Sequence, residues 1–158
     1  MSADGNIPTL AEAARLIAAR QLSPVELTQA CLDRVHRLEE RLNAFVLLTE
    51  ERAIAEAKAG EAEIMRSGPR SPLHGIPIGL KDIVETAGLR TTCQSAILQD
   101  HVPTEDATCA ARLAAAGTVL MGKLTTHEFA DGGPSFDLPQ PPPRNPWNTD
   151  HFPARSSS

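Results

Sequence analysis

The chain has 158 residues, 41% of them hydrophobic and 22% charged, which is the profile of a soluble globular protein with room for one buried core. Its net charge of −5 gives no basic surface, which argues against nucleic acid or an anionic membrane as the main partner. No apolar run approaches the ~18 residues of a membrane-spanning helix, and the amino terminus lacks the apolar segment of a secretory signal.

The cysteines and histidines show no metal-binding pattern. Cys31, Cys93 and Cys109 are widely spaced and form no CxxC pair. Such usage predicts reduced thiols in a cytoplasmic protein, each packed as a small side chain. The five histidines have no HExxH or similar spacing, so the sequence predicts no metal site.

Helix signals fill the first part of the chain. A capping-box pattern at Thr9 predicts one helix, and Ser23 followed by Pro24 predicts the start of a second. An Ala-rich, charged stretch predicts a third helix over about residues 50–66. Because nothing in these helices indicates chemistry, we interpret residues 1–67 as an amino-terminal helical region that serves as a scaffold.

From residue 68 the pattern changes to alternating strand and helix. "GIPIGLKDIVE" predicts a strand, "TEDATCAARLAAAG" a helix with Thr104 as its N-cap and Asp106 in its first turn, and "TVLMGKL" a second strand. Strand, helix and strand in this order imply a crossover unit within an α/β sheet. The prolines after Gly132 predict a loop. We interpret residues 68–158 as an incomplete α/β core.

Two short motifs resemble functional patterns but have simpler structural interpretations. "GTVLMGKL" nearly matches a phosphate-binding loop, but Leu124 stands where a hydroxyl side chain must hold magnesium, and the apolar residues before it favour a strand. "PQPPPR" has the spacing of a polyproline ligand, but so short a pattern is weak, and we interpret it as a loop on the surface of a folded domain.

Lys81 is the anomaly of the predicted first strand. It lies among aliphatic side chains, and lysine is rarely buried without a partner or a function. Desolvation disfavours the ammonium form, so a buried amine can act as the general base that a serine nucleophile needs. From the residues alone, pairing of Lys81 with Asp82 or exposure of its amine to water is the simpler interpretation. The run Ser156–Ser158 is likewise explained by a flexible tail.

Three blocks of sequence resemble the amidase signature family. They are "PLHGIPIGLKDIVETAGLRTT", "AAGTVLMGKLTTHEFADGGPSFDLP" and "RNPWNTDHFP", and together they cover about residues 71–153. The resemblance implies an α/β fold in which amino-terminal helices precede a core built on a large mixed sheet. It also implies hydrolysis of a carboxamide C–N bond without any metal or organic cofactor, or transfer of the released ammonia in the tRNA-amidotransferase branch.

The family uses a Ser-cisSer-Lys triad. By resemblance, Lys81 is the general base and Ser156 is the bridging serine, which follows a cis peptide bond. The nucleophilic serine belongs to a later segment that is not in this chain, so we expect the chain to be truncated and inactive alone. Ala154 and Arg155 replace family glycines. Arg155 is expected to crowd the loop that holds Ser156.

Our leading hypothesis is therefore part of an amidase-signature hydrolase. We expect a small-molecule amide as its substrate, no direct contact with nucleic acid or membrane, and a homodimer as one option for its assembly. Two alternatives stay open: the A subunit of a glutamyl-tRNA amidotransferase, and a non-catalytic remnant or interaction module. "GGPSFDLP" and the Pro-rich stretch look more like the stand-alone amidases, which ranks the amidotransferase second.

Overall fold

The computed structural model describes residues 7–133 and 136–153. Its elements in chain order are helix α1 (Leu10–Ala18), helix α2 (Pro24–Leu42), strand β1 (Phe45–Leu48), helix α3 (Glu50–Ser67), strand β2 (Pro77–Lys81), helix α4 (Thr108–Ala116) and strand β3 (Val119–Leu124), with short 3₁₀ turns at Ala96–Leu98 and Glu128–Ala130. The three strands form one sheet in the order β1-β3-β2. The α/β fold class predicted from the sequence is confirmed.

The first two helices begin where the sequence predicted. Thr9 Oγ1 accepts a hydrogen bond from the backbone N–H of Glu12 at 3.3 Å. Ser23 Oγ accepts from the backbone N–H groups of Val25 and Glu26 at 3.0 and 3.2 Å. These side chains satisfy amide groups that the first helical turn leaves without a partner. Both predicted N-caps are confirmed.

Helix α4 begins at Thr108, later than the predicted N-cap at Thr104, so that boundary was wrong. Asp106 was expected in the first helical turn. Its carboxylate instead accepts a hydrogen bond from the backbone N–H of Ala87 at 2.7 Å. A tertiary contact therefore holds the chain extended where the local capping signal favoured a helix.

Strand β1 was missed, because only helices were predicted for the first 67 residues. It pairs antiparallel with β3, with Phe45 opposite Leu124 and Leu48 opposite Gly122. Its sequence, "FVLL", is a short apolar run without alternation, which periodicity cannot assign to strand or helix. The partner strand lies far along the chain and supplies the missing information.

Within the described residues, the chain divides into two compact units. The first contains Thr49–Ile78 and Arg112–Met121 together with the described residues up to Val35, and the second contains His36–Leu48, Gly79–Ala111 and the described residues from Gly122 onward. The boundary between residues 67 and 68 that the sequence predicted concerns the domains of the family, and it stays a prediction.

The core of the first unit joins three helices to the entry of β2. Its buried members are Ala13, Ile17, Leu27, Ile64 and Ile76. They come from α1, α2, α3 and the residue just before β2. Burial of these aliphatic side chains is the main favourable contribution to folding of this unit, at about 25 cal/mol per Å² of apolar surface removed from water.

His74 is buried in the same unit, with 1% of its surface exposed. Its Nδ1 accepts a hydrogen bond from the backbone N–H of Arg70 at 3.1 Å, so Nε2 carries the proton of the neutral ring. Among the described residues Nε2 has no hydrogen-bond partner, and Glu63 Oε2 lies 4.0 Å away. Burial lowers the pKa of His74, the Arg70 charge acts in the same direction, and the Glu63 carboxylate opposes both.

This lowered pKa predicts a loss of stability in weak acid. Below the ordinary value of 6.5 the unfolded chain binds a proton that folded His74 does not, so the free energy of unfolding should fall from about pH 7.5 to about pH 5.5. Urea titrations across this range should show a shallower slope for His74→Gln than for the parent chain. Equal slopes for the parent and His74→Gln would contradict the prediction.

Gly117 is required by both its backbone and its neighbour. It ends α4 with a φ of +89°, and a Cβ built on it would lie 2.4 Å from Cδ2 of His74. Gly68 has a similar φ of +80°, but nothing lies within 4 Å of its Cβ position. Gly117→Ala should therefore cost about 2–4 kcal/mol and Gly68→Ala about 1 kcal/mol, measured by urea unfolding. Similar losses for the two variants would show that contact with His74 is unimportant.

Candidate active site

Lys81 is the last residue of β2 and is only partly buried. The prediction that apolar neighbours enclose it was wrong. In the described sheet β2 is an edge strand, its Gly79 is exposed, and Ile83 just beyond it has 39% of its surface exposed. An apolar run on an edge strand does not have neighbours on both sides to exclude water. The role of Lys81 as a general base stays a prediction.

The fully buried lysine is Lys123, in the central strand β3. Its Nζ donates hydrogen bonds to the carbonyl oxygen of Val84 at 2.6 Å and to Thr91 Oγ1 at 2.5 Å. Oδ1 of Asp82 lies 3.7 Å from the same nitrogen. Burial lowers the pKa of Lys123, while the negative charge of Asp82 acts in the opposite direction. The amine is thus held by three groups in a place without solvent.

Asp82 is the anionic partner of this lysine and is also fully buried. Its Oδ2 accepts hydrogen bonds from the backbone N–H and the hydroxyl of Thr92, at 3.0 and 2.5 Å. Within the described part of the chain, Oδ1 has no hydrogen-bond donor and faces the Lys123 amine. Two hydrogen bonds and one ion pair therefore compensate for the removal of this carboxylate from water.

The backbone just after Lys81 is hydrogen-bonded to strand β3 and to residues that follow β2. Asp82 donates its N–H to the carbonyl of Leu124 in β3 at 2.9 Å, and its own carbonyl accepts from the N–H of Cys93 at 3.0 Å. Val84 donates its N–H to the carbonyl of Lys81 at 2.9 Å, which closes a turn directly after β2. The segment that carries the Lys81 side chain is therefore bonded on both sides.

Residues 82–95, here called the β2 loop, end in an unusual backbone conformation. Cys93 and Gln94 both have positive φ values, 50° and 58°, which cost side-chain-bearing residues about 1–2 kcal/mol each. The N–H of Gln94 donates to Thr92 Oγ1 at 3.0 Å, so the threonine that binds Asp82 also stabilises this turn. Burial raises the pKa of the Cys93 thiol, and the nearby Asp82 charge adds to the effect.

Sequence reasoning missed the Lys123 centre although the signal was present. "VLMGKL" places one lysine in a buried strand, which is the same anomaly that drew attention to Lys81. The motif was interpreted as a strand and compared with a phosphate-binding loop, but its lysine was not considered as a buried charge. Its rejection on structural grounds is confirmed, because Val119, Leu120 and Met121 lie buried in β3.

Three of the predicted site residues, Ser156, Ala154 and Arg155, lie outside the described residues, and their roles stay predictions. Across residues 7–133 and 136–153, no group of three or more His, Cys, Asp or Glu side chains is placed to hold a metal ion. In that same part of the chain no helix combines the length and hydropathy needed to cross a membrane.

The cysteines all lie in the described part and are free thiols. Cys31 is half-buried beside the first core, and its burial raises the pKa of the thiol. Cys109 is exposed, so the prediction that each cysteine is packed as a small side chain was wrong for this one.

A protein-family model, Amidase, matches residues 26–158. The chain therefore belongs to the amidase family, and the resemblance stated from the sequence is confirmed. The A subunit of the glutamyl-tRNA(Gln) amidotransferase of Roseiflexus castenholzii is 43% identical over 149 residues, which are 94% of this chain and 30% of that protein. Its counterpart in Azotobacter vinelandii is 46% identical over 149 residues, which are 94% of this chain and 31% of that protein.

The chain is also similar to solved structures of amidases that are named for different substrates. The peptide amidase of Stenotrophomonas maltophilia superimposes with a TM-score of 0.85 at 34% identity, covering 96% of this chain and 33% of that one. A bacterial aryl acylamidase of the amidase signature family gives 0.86 at 26% identity, covering 95% and 31%. The chain thus spans about a third of the length of the relatives that it matches.

The buried pair predicts a strong coupling between Asp82 and Lys123. Asp82→Asn or Lys123→Met alone should cost about 3–5 kcal/mol, because each leaves one charge buried without its partner. The double variant should cost clearly less than the sum of the two, as measured by urea unfolding. Arg52→Ala, which breaks a half-exposed ion pair with Glu56, should cost less than about 1 kcal/mol. Additive losses at Asp82 and Lys123 would refute the coupling.

Proposed function

We propose that this chain forms part of an amidase-signature hydrolase that cleaves a carboxamide C–N bond, with Lys81 as its general base. Membership of the amidase family supports amide chemistry. The observation that supports the assignment to Lys81 is its partly buried position at the end of β2, directly before Asp82, which is paired with the buried Lys123. A base must be both reachable by its partner group and fixed in position.

Lys81 is better suited to this role than Lys123. The Lys123 amine already contacts Val84, Thr91 and Asp82, and none of its surface is exposed. A substrate or a relay hydroxyl has no path to it. Lys81 is partly open to solvent, so a neighbouring serine hydroxyl can approach its amine.

The proposed reaction follows the general scheme of serine acyl transfer. Lys81 accepts a proton through Ser156 from the nucleophilic serine, which by resemblance to the family belongs to a later segment. That serine adds to the amide carbon, and collapse of the tetrahedral intermediate expels the amine or ammonia, which takes up the proton. Water then hydrolyses the acyl-enzyme. The positions of Ser156, Ala154 and Arg155 relative to Lys81 belong to this proposal.

The second candidate function is that of the A subunit of a glutamyl-tRNA amidotransferase. The two relatives with that name are 43% and 46% identical to this chain, against 34% and 26% for the peptide amidase and the aryl acylamidase. The same cleavage of an amide would then release ammonia for transfer. Here the natural protein should co-purify, at fixed stoichiometry, with other subunits, whereas a stand-alone amidase should elute as a single chain type.

The assignment of Lys81 can be tested in a chimera. Residues 7–153 replace the matching third of the Stenotrophomonas maltophilia peptide amidase, whose own sequence then provides the serines. Release of ammonia from a peptide amide should be detectable in this chimera and should fall at least about 10²-fold in kcat with Lys81→Ala. Lys81→Arg should fall equally, because arginine stays charged and cannot act as a base.

The exposed residue Lys58 in α3 serves as the control for loss of a lysine. Lys58→Ala should keep the kcat of the chimera, and thermal unfolding should show that the Lys81 variants are folded. A folded chimera without turnover would count against amide hydrolysis by this segment. Turnover that survives Lys81→Ala would remove Lys81 from the catalytic role.

A further inference from the structure

Lys123 reaches three separate points of the β2 loop. Its Nζ contacts the carboxylate of Asp82, the carbonyl of Val84 and the hydroxyl of Thr91. Two of these contacts are hydrogen bonds, which use two of the three protons of the ammonium group, and the contact with Asp82 is an ion pair. The lysine thereby fixes both the beginning of the loop and a residue near its end to the central strand.

Val84 links this lysine directly to Lys81. The N–H of Val84 donates to the carbonyl of Lys81 at 2.9 Å, and the carbonyl of Val84 accepts from Nζ of Lys123 at 2.6 Å. Without Lys123 the part-buried carbonyl of Val84 would lose this donor, which favours rearrangement of the turn. The backbone that carries Lys81 would then lose one of its constraints.

Asp82 provides a second link. Its N–H belongs to the same planar peptide unit as the Lys81 carbonyl, and it donates to Leu124 in β3 at 2.9 Å. Its carboxylate is fixed by Thr92 and faces Lys123. The backbone just after β2 is therefore oriented by groups that converge on one buried amine.

We propose that Lys123 is a positioning residue, which acts through Val84 and Asp82 to fix the backbone of Lys81 and so the direction of its amine. The proposal rests on the proposed function, because it gives a catalytic meaning to the position of Lys81. It assigns no contact between Lys123 and substrate. A residue that only stabilised the fold would leave Lys81 unchanged in any variant that stays folded.

The first test measures Lys81 itself and needs no catalysis. The chain is acetylated with a limiting amount of acetic anhydride, and mass spectrometry of peptides gives the labelling rate of Lys81 relative to Lys58. In Lys123→Met this ratio should rise at least about threefold, because the released turn exposes Lys81 more often. An unchanged ratio in a folded variant overturns the proposal.

Thr125→Val is the matched control. Thr125 is equally buried and follows the same strand, and its hydroxyl donates to the carbonyl of Asn43 at 2.6 Å, away from the β2 loop. This variant should lose stability but keep the parent labelling ratio. If Thr125→Val raises the ratio as much as Lys123→Met does, the effect is general loosening and the proposal is refuted.

A milder variant keeps the test decisive if Lys123→Met does not fold. Thr91→Val retains both buried charges and removes one acceptor of the Lys123 amine. It should raise the labelling ratio of Lys81 in the same direction by a smaller factor. No change in the folded Thr91→Val chain then overturns the proposal.

The peptide amidase chimera separates this proposal from the proposed function. There Lys123→Met should lower kcat by about 10²-fold and leave KM within about twofold, since a displaced base impairs the chemical step. If the labelling ratio rises but the parent chimera is inactive, the proposed function fails and the positioning of Lys81 stands. If Lys81→Ala abolishes turnover and Lys123→Met does not change kcat, the positioning role fails and the proposed function stands.

Discussion

The buried pair of Lys123 and Asp82 is the constraint on which the second unit depends. Neither charge can be left dry without a partner, so the β2 loop has to return to the central strand to satisfy both. The positive φ values at Cys93 and Gln94 then follow, because the loop must turn tightly to place Thr91 and Thr92 beside the pair. The loop therefore adopts a strained backbone, and this strain accompanies the hydrogen bonds that satisfy the buried charges.

Features with local causes could be predicted from the sequence, and features with distant causes could not. The N-caps at Thr9 and Ser23 depend on residues within one helical turn, and both were predicted. Strand β1 depends on a partner far along the chain, and the start of α4 depends on the hydrogen bond that Asp106 accepts from Ala87. Neither contact can be predicted from the residues that neighbour the element in the sequence.

In the candidate site, too, the local signal could be predicted from the sequence but its location in the fold could not. Desolvation of a lysine was recognised as the signal, but it was assigned to Lys81 and not to Lys123. Both lie in apolar runs, and only the order of the strands decides which run is enclosed: β2 is at the edge of the described sheet and β3 is central. The role of Lys81 came from resemblance to a family, since physical reasoning on the residues alone favoured an ordinary ion pair or exposure to water.

Lys123 and Val84 are far apart in the sequence, and this separation indicates that their contact forms late in folding. Val84 lies 39 residues before the lysine that holds its carbonyl, so the contact forms only after β3 has joined the sheet. Contacts between distant parts of a chain form late, because the entropy of closing the intervening loop must be overcome first. The turn after Lys81 therefore gains this contact only when the central strand is in place, and the proposed positioning of Lys81 would be set at that step.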